Sequence, residues 1–569
     1  MKRGQVKVER ITADILIIGG GTAGCMAAVA AWETNPDCRV VVMEKAHIER
    51  SGCLAAGINA LNAYLNPGET PESFLEYVRR ESYGVVRDDL VLSMAVRLKD
   101  IVKKLEKWGL PIPRDEHGNY LARGRRSIHV YGERIKPLLA RAVARSGALV
   151  LNRTVATDYI VMDGRVMGAF GFNVRTGDFY VVAAQKVICT TGGAAGIYLP
   201  CHPLSAPHRT WYSPFNTGTG YAMGIRAGAE MTSLEARFIA LRVKDTLAPT
   251  GTVAQGLPIP QVNSRGEKYL EPLKGCTTAM RLWATMEEIQ GGRGPCFLDT
   301  RVLSPGQSRK LKEAYLNMTP AMVLYWANRG TEPQEAPLEV SGTEPYIVGG
   351  HGLAGYWVDE RRRTTLPGLY AAGDAAGGAP KKYASGSMVE GHIAGSDAAH
   401  SLNRGGPPDI PEELVRSKLE EIYAPFKKNQ GVSAVELETA LQEVMDYYAG
   451  GIGRGYGTSE KLLATAREKV AELKKQVTEM SAEDSHDLMR VWEVRDKLDL
   501  AAAVIEHLLY RRETRWPCYQ VRWDYPFRDD RRWLVFVNSI YDAEEERFNM
   551  LERPVGGKAY AGGRKLGFM

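Results

Sequence analysis

The 569-residue sequence contains no CxxC pair; its eight cysteines, Cys25, Cys38, Cys53, Cys189, Cys201, Cys276, Cys296 and Cys518, stand far apart. That scatter lacks the spacing of zinc or iron–sulfur ligation and makes no disulfide framework. If the function needs iron–sulfur electrons, another chain must supply them. There is also no long run of one charge sign. Basic residues number 73 and acidic residues 67, so the net charge is only +6, and no basic tail announces nucleic acid. An unbroken apolar span is missing too. The best candidate, Ile15 to Trp32, has 18 residues without a charge, but Gly19, Gly20, Gly21 and Gly24 divide it. A membrane helix needs about 20 apolar residues without such a break. The N-terminus carries Lys7, Glu9, Arg10 and Asp14 where a signal peptide needs an apolar core. The chain is therefore expected to be cytoplasmic, without direct membrane insertion.

What is present points to a large folded protein. Hydrophobic residues make up 44% and charged residues 25%, which argues against disorder, collagen or coiled coil. At about 150 residues per domain the length holds three to four domains' worth of chain. The first strong signal is Ala13 to Gly24, a β-rich run (Ile15, Leu16, Ile17, Ile18) entering Gly19-Gly20-Gly21-Thr22-Ala23-Gly24 and then an alanine-rich helix. A second strand, Arg39 to Met43, ends at Glu44. Strand, GxGxxG, helix and acidic residue together read as a dinucleotide site. Gly19 makes the tight turn, Gly21 admits the pyrophosphate, Gly24 lets the helix pack on the strand, and Glu44 accepts from ribose hydroxyls. The free amides of the helix N-terminus face the phosphates.

Two later segments select the dinucleotide. Lys186 to Gly193 reads as a strand entering a glycine turn (Gly192, Gly193), and Leu366 to Asp374 as another strand ending in Gly-Asp. In this order after GxGxxG they favour FAD over NAD, with Asp374 bonding the ribityl chain. The Gly/Ala/Ser-rich segment Ala375 to Ile393 passes near the flavin ring. The stretch between Thr191 and Leu366 is too long for a loop and must hold an inserted domain. The expected fold is α/β. A two-dinucleotide (Rossmann-like) FAD-binding domain covers residues 1–238 and 347–430, an inserted α+β capping domain covers 239–346, and a C-terminal helical domain with tail covers 431–569. Helices are expected over 411–428, 435–448, 459–480 and 484–510. In the third, Leu462, Leu463, Ala466, Val470, Leu473 and Val477 recur at helical spacing as a packing face. There is no internal repeat.

By these segments the chain resembles the flavoprotein subunits of the succinate dehydrogenase/fumarate reductase superfamily, and within it the alpha subunits of dissimilatory adenylylsulfate reductases. The resemblance runs from about Ala13 to Asp542. It rests on Glu49-Arg50-Ser51-Gly52 through Asn62, Arg209-Thr210-Trp211-Tyr212, Asn216 to Tyr221, Arg237 to Asp245, Glu344 to His351, Ser385 to Gly391, Glu513 to Pro517 and Tyr541 to Glu544. Where membrane-linked relatives attach FAD through a histidine in Arg-Ser-His-Thr, this chain has Arg50-Ser51-Gly52-Cys53, so its FAD is expected to be non-covalent. The fumarate-type His-x-Thr-x-Gly-Gly motif is altered to His351-Gly352-Leu353-Ala354-Gly355.

The resemblance implies a set of roles. Arg242 and His351 sit by the flavin N5 and hold sulfate oxygens, with Asn62 nearby and Arg281 holding substrate from the cap. Ser51, Gly52, Ser385, Gly386 and Ser387 contact the cofactor. Trp211 lies between the flavin and a [4Fe-4S] cluster of a ferredoxin-like iron–sulfur beta subunit. A glutamate and a leucine of the family's nucleotide site correspond to Arg123 and Gln255, which unsettles the substrate. The implied reaction converts adenylylsulfate to AMP and sulfite through a flavin N5–sulfite adduct. Two other functions stay open. One is a soluble fumarate reductase-like enzyme acting on a dicarboxylate or another small anion, and the other is a non-catalytic FAD electron-transfer scaffold.

Overall fold

The computed structural model describes residues 6–56, 58–201, 210–250, 257, 259–270, 277–428 and 431–556. Arg209, Gln255 and Cys276 fall outside them. The chain opens with β1 (Val8–Ile18), α1 (Thr22–Thr34) and β2 (Val40–Glu44), followed by α2 (Pro71–Glu81). Further strands are β3 (Leu149–Asn152), β4 (Thr154–Met162), β5 (Arg165–Asn173) and β6 (Phe179–Cys189). These build one seven-stranded sheet in the order β3-β2-β1-β6-β5-β4, with the short strand Leu369–Ala371 also on β6. The strands β3, β2, β1, β6 and Leu369–Ala371 run parallel, while β4, β5 and β6 form an antiparallel meander.

β1 is longer than its apolar run suggests. Val8 to Ala13 extend the ladder against Phe179 to Ala184 although Glu9 and Arg10 interrupt the pattern. Backbone pairing carries the strand past the buried part of the sheet. In register, Ile18 lies opposite Cys189, which lies opposite Ala371. The three segments singled out in the sequence thus leave neighbouring parallel strands at the same level. That is where open α/β sheets bind their ligands.

Two glycines explain the small-residue segment near residue 390. Helix α1 is covered by the helix Tyr383–His400. A Cβ at Gly391 would lie 2.1 Å from the Ala23 carbonyl oxygen, and one at Gly395 2.2 Å from that of Ala27. Only hydrogen at both positions permits this close helix crossing.

Between Leu241 and Gly342 an antiparallel six-stranded sheet is built entirely from that stretch of chain. The helices Thr278–Glu288, Pro305–Met318 and Ala321–Arg329 belong to the same stretch. Its apolar cluster includes Leu282, Leu311, Tyr315 and Trp326, and continues into Trp516, Tyr519 and Phe536 near the C-terminus.

The C-terminal part begins with the helices Ala434–Tyr448, Glu460–Gln476 and Ser485–Tyr510. On the second of these Leu463, Ala466 and Val470 are buried and Leu473 and Val477 partly so. This part is not helical throughout. Val535–Asp542 and Arg547–Pro554 form a hairpin that pairs with Met231–Thr232. An ionic cluster ties it down: Arg511 binds Glu235 at 2.7 Å and Glu513 at 2.8 Å. His507 lies between Glu235 at 3.0 Å and Ser539 at 2.9 Å. Phe536, Val537, Asn538 and Ser539 are all buried, so this strand is covered on both faces and its sequence carries no two-residue period. Among the described residues no helix is long and apolar enough to cross a membrane.

Candidate active site

A cavity of about 2760 Å³ runs past the carboxyl ends of β1, β2, β6 and Leu369–Ala371 and on beneath the inserted sheet. A single small ligand fills roughly 300–1,000 Å³, so this space suits two ligands end to end.

Its nucleotide end is backbone. Gly19 has φ +99°, and a Cβ there would stand 2.6 Å from the Thr190 carbonyl oxygen. A Cβ on Gly24 would stand 1.9 Å from the Gly19 oxygen, whereas one on Gly21 would meet nothing within 4 Å. The first and third glycines are therefore demanded by packing, and the second leaves open the approach of a phosphate. Glu44 is buried, and its two oxygens accept from the amides of Gly20 at 2.7 Å and Ala46 at 2.6 Å. The carboxylate expected to meet ribose thus also braces the glycine loop. Ser51 and the buried Lys136 donate to the Gly20 carbonyl, at 3.1 and 2.5 Å.

In the middle, Gly52, Gly192, Asp374 and Ser387 line the cavity. Asp374 accepts from the Tyr212 hydroxyl at 2.7 Å, and that hydroxyl accepts from the Gly193 amide at 2.8 Å. Burial pushes the Asp374 carboxyl above its ordinary value. Gly193, Ser385 and Gly386 do not line the cavity. Ser385 donates to the Asn62 carbonyl at 2.5 Å, and Gly386 lies where a Cβ would press on the Met94 sulfur at 2.4 Å.

At the far end Arg242, His351, Trp211, Asn62, Arg281 and Arg123 line one space. Arg242 lies in the inserted sheet, and among the described residues no acidic side chain pairs with it. It donates to the neighbouring Leu241 carbonyl at 3.2 Å, and its Nε has no hydrogen-bond partner among the described residues. The guanidinium stands 4.8 Å over the Trp211 ring. Desolvation pulls it down to about 10. The His351 ring is held edge-on by Trp211 at 4.8 Å and by Tyr383 at 5.2 Å, and its Nδ1 likewise has no partner among the described residues. Burial first, then the charges of Lys381 and Arg242, lower His351 to about 3. At neutral pH the ring is uncharged, with one nitrogen to donate and one to accept. Leaving a cation buried without a counter-charge costs several kcal/mol, and an oxyanion seated between these groups removes that cost.

Comparison with known proteins names the architecture. A family model described as FAD binding domain matches residues 14–388, and one described as fumarate reductase flavoprotein C-term matches 438–561. The adenylylsulfate reductase alpha subunit of Megalodesulfovibrio gigas is 30% identical over 95% of both chains. The chain belongs to the adenylylsulfate reductase alpha-subunit family of FAD-binding flavoproteins. The adenylylsulfate reductase structure from Archaeoglobus fulgidus superposes with a TM-score of 0.93 at 35% identity over 98% of both chains. An adenosine-5-phosphosulfate reductase in complex with sulfite, described as a covalent adduct, gives 0.92 at 35% identity over 98% of both chains.

The chain is thus an FAD-dependent oxidoreductase, and the cradle fits FAD: packing-demanded glycines, an open approach at Gly21, and a buried carboxylate at Asp374. Arg123 lies beside Asn59, whose side-chain oxygen accepts from its guanidinium at 2.7 and 3.0 Å. Burial lowers Arg123. Asn62 accepts from Ser127 at 2.7 Å. Sequence reasoning missed Lys136 and Lys381. The available signal was an unpaired lysine in an apolar helix for the first, and two consecutive lysines inside a glycine-rich stretch for the second. Among the described residues no group of His, Cys, Asp and Glu is arranged to hold a metal.

Proposed function

We propose that this chain is the catalytic flavin subunit of an adenylylsulfate reductase, converting adenylylsulfate to AMP and sulfite with electrons from an iron–sulfur partner subunit. The observation that carries the reading is the pairing of Arg242 and His351 at the ring end of the cavity, each with a buried nitrogen that has no hydrogen-bond partner among the described residues. When bound, flavin would supply the two-electron redox chemistry.

The residues do the rest. Arg242 offers a planar fork of donors matched to sulfo oxygens. His351, neutral, donates one hydrogen bond without competing for the charge. Both are fixed before substrate arrives, by Trp211 and Tyr383, so little reorganisation accompanies the reaction. Trp211 also donates its amide to the Tyr346 hydroxyl at 2.9 Å, which fixes an aromatic ring against the site in a position suited to electron entry. Arg281 and Arg123 supply positive charge for the phosphate of the nucleotide. Gly52 stands where related enzymes carry a histidine, and glycine offers no side chain to bond the cofactor, so on this reading FAD is held non-covalently.

The test is purified, flavin-loaded protein. Sulfite should bleach the long-wavelength flavin band, and AMP with sulfite should reduce ferricyanide. Fumarate-dependent oxidation of a reduced dye, with no response to sulfite, would contradict the proposal.

A further inference from the structure

Two adjacent lysines in the segment leading to the helix Tyr383–His400 have opposite fates. Lys382 is locked inside the protein, donating to the carbonyls of Gly373 at 2.8 Å and Ala376 at 2.6 Å and pairing with Glu390 at 3.0 Å. Lys381 lines the cavity together with Arg242 and His351. The backbone is bent to achieve this. Lys381 has φ +65° and Tyr383 φ +53°, a left-handed conformation that is disfavoured for a non-glycine residue. Such strain persists where the surrounding structure enforces it, and it concentrates at ligand sites.

Lys381 is 5% exposed and pairs with Glu81 Oε2 at 3.0 Å. An ammonium has three N–H donors, and the carboxylate takes one. The same Glu81 oxygen accepts from the amide of Thr278 at 3.3 Å and from its hydroxyl at 3.2 Å. Thr278 begins the helix that carries Arg281. Tyr83 reinforces the joint, its hydroxyl 3.4 Å from that of Thr277. One carboxylate therefore holds a cavity-lining ammonium on one side and the inserted stretch on the other.

We propose that Lys381 is a third donor of the oxyanion site, positioned by Glu81, which also seats the helix bearing Arg281. The proposal rests on the oxyanion reading given above. Lys381 contacts the anion directly, and Glu81 is a positioning residue acting through it.

The experiment measures sulfite affinity from bleaching of the flavin band in the flavin-loaded protein, for wild type, Lys381→Met, Lys381→Arg and the double variant Glu81→Gln/Lys381→Met. Lys381→Met alone strands a buried carboxylate that repels anions, and the double variant removes that confounding charge. The expected result is affinity lowered roughly tenfold or more in Lys381→Met, the size of a lost charged hydrogen bond. The loss should persist in the double variant, with partial recovery in Lys381→Arg and unchanged flavin content. Wild-type affinity in the double variant would overturn the proposal, because Lys381 would then only neutralise Glu81. If wild type itself fails to bleach, the proposed reaction fails. Lys381 is then judged by the sulfate-induced shift of the flavin spectrum: a weaker shift in the double variant supports it, and an equal one overturns it.

Discussion

The two ends of the cavity offer an anion different kinds of partner. The nucleotide end uses main chain: glycine amides, a helix start and a carboxylate that braces the loop. The ring end uses side chains brought from distant segments, Arg242 from the inserted sheet, His351 and Lys381 from the returning chain, and Trp211 from the connection that follows β6. Backbone recognition fixes geometry by sterics, so a misplaced methyl destroys it. Side-chain recognition relies here on Arg242, which no acidic residue pairs with among the described residues, beside the neutral His351 and the Glu81-paired Lys381. The first end should therefore fail by losing cofactor, and the second by losing substrate with cofactor in place.

The harshest test of this contrast is Gly24→Ala. Its Cβ would lie 1.9 Å from a backbone oxygen, and flavin should be lost altogether, read as the flavin-to-protein absorbance ratio after gel filtration. Full retention would break the account of the cradle. Next, Arg242→Ala should lower turnover roughly 10²–10³-fold, the scale of losing one donor to developing charge, with flavin content intact. Glu44→Gln should weaken flavin retention about tenfold, because one charged acceptor of the Gly20 and Ala46 amides becomes neutral. An unchanged flavin content would show that the brace is dispensable.

The smallest effect is on stability. His351 binds its proton at about 3 in the folded chain against an ordinary 6.5. Between those values the unfolded state binds more protons, so His351 makes stability rise with pH across that window and contributes no slope above it. The His351→Gln variant should show a shallower rise over that window in denaturant titrations. An identical slope would mean that the ring titrates normally.

The cradle was legible because its chemistry is local. GxGxxG, the β-run before it and Glu44 lie within one short stretch, and sterics dictate Gly19 and Gly24. The order of the three glycine turns also announced the sheet that aligns them. Arg242 and His351 were reachable only through resemblance, since neither stands out among 73 basic residues or ten histidines before folding leaves one nitrogen of each without a hydrogen-bond partner among the described residues. For Lys381 the lysine pair was visible but its roles were not: whether a lysine is locked away like Lys382 or faces the cavity depends on a backbone turn that composition does not announce. The C-terminal hairpin was hidden by its partner, a two-residue strand at Met231–Thr232 too short to show a period. Gln255 lies outside the described residues.

The most direct measurement of the central claim is the sulfite dissociation constant of flavin-loaded wild type, Arg242→Ala and His351→Gln, read from the flavin band. The account predicts bleaching by sulfite in wild type and sharply weaker binding in both variants, each at full flavin occupancy. Equal affinity in all three, or a flavin band indifferent to sulfite, would contradict it.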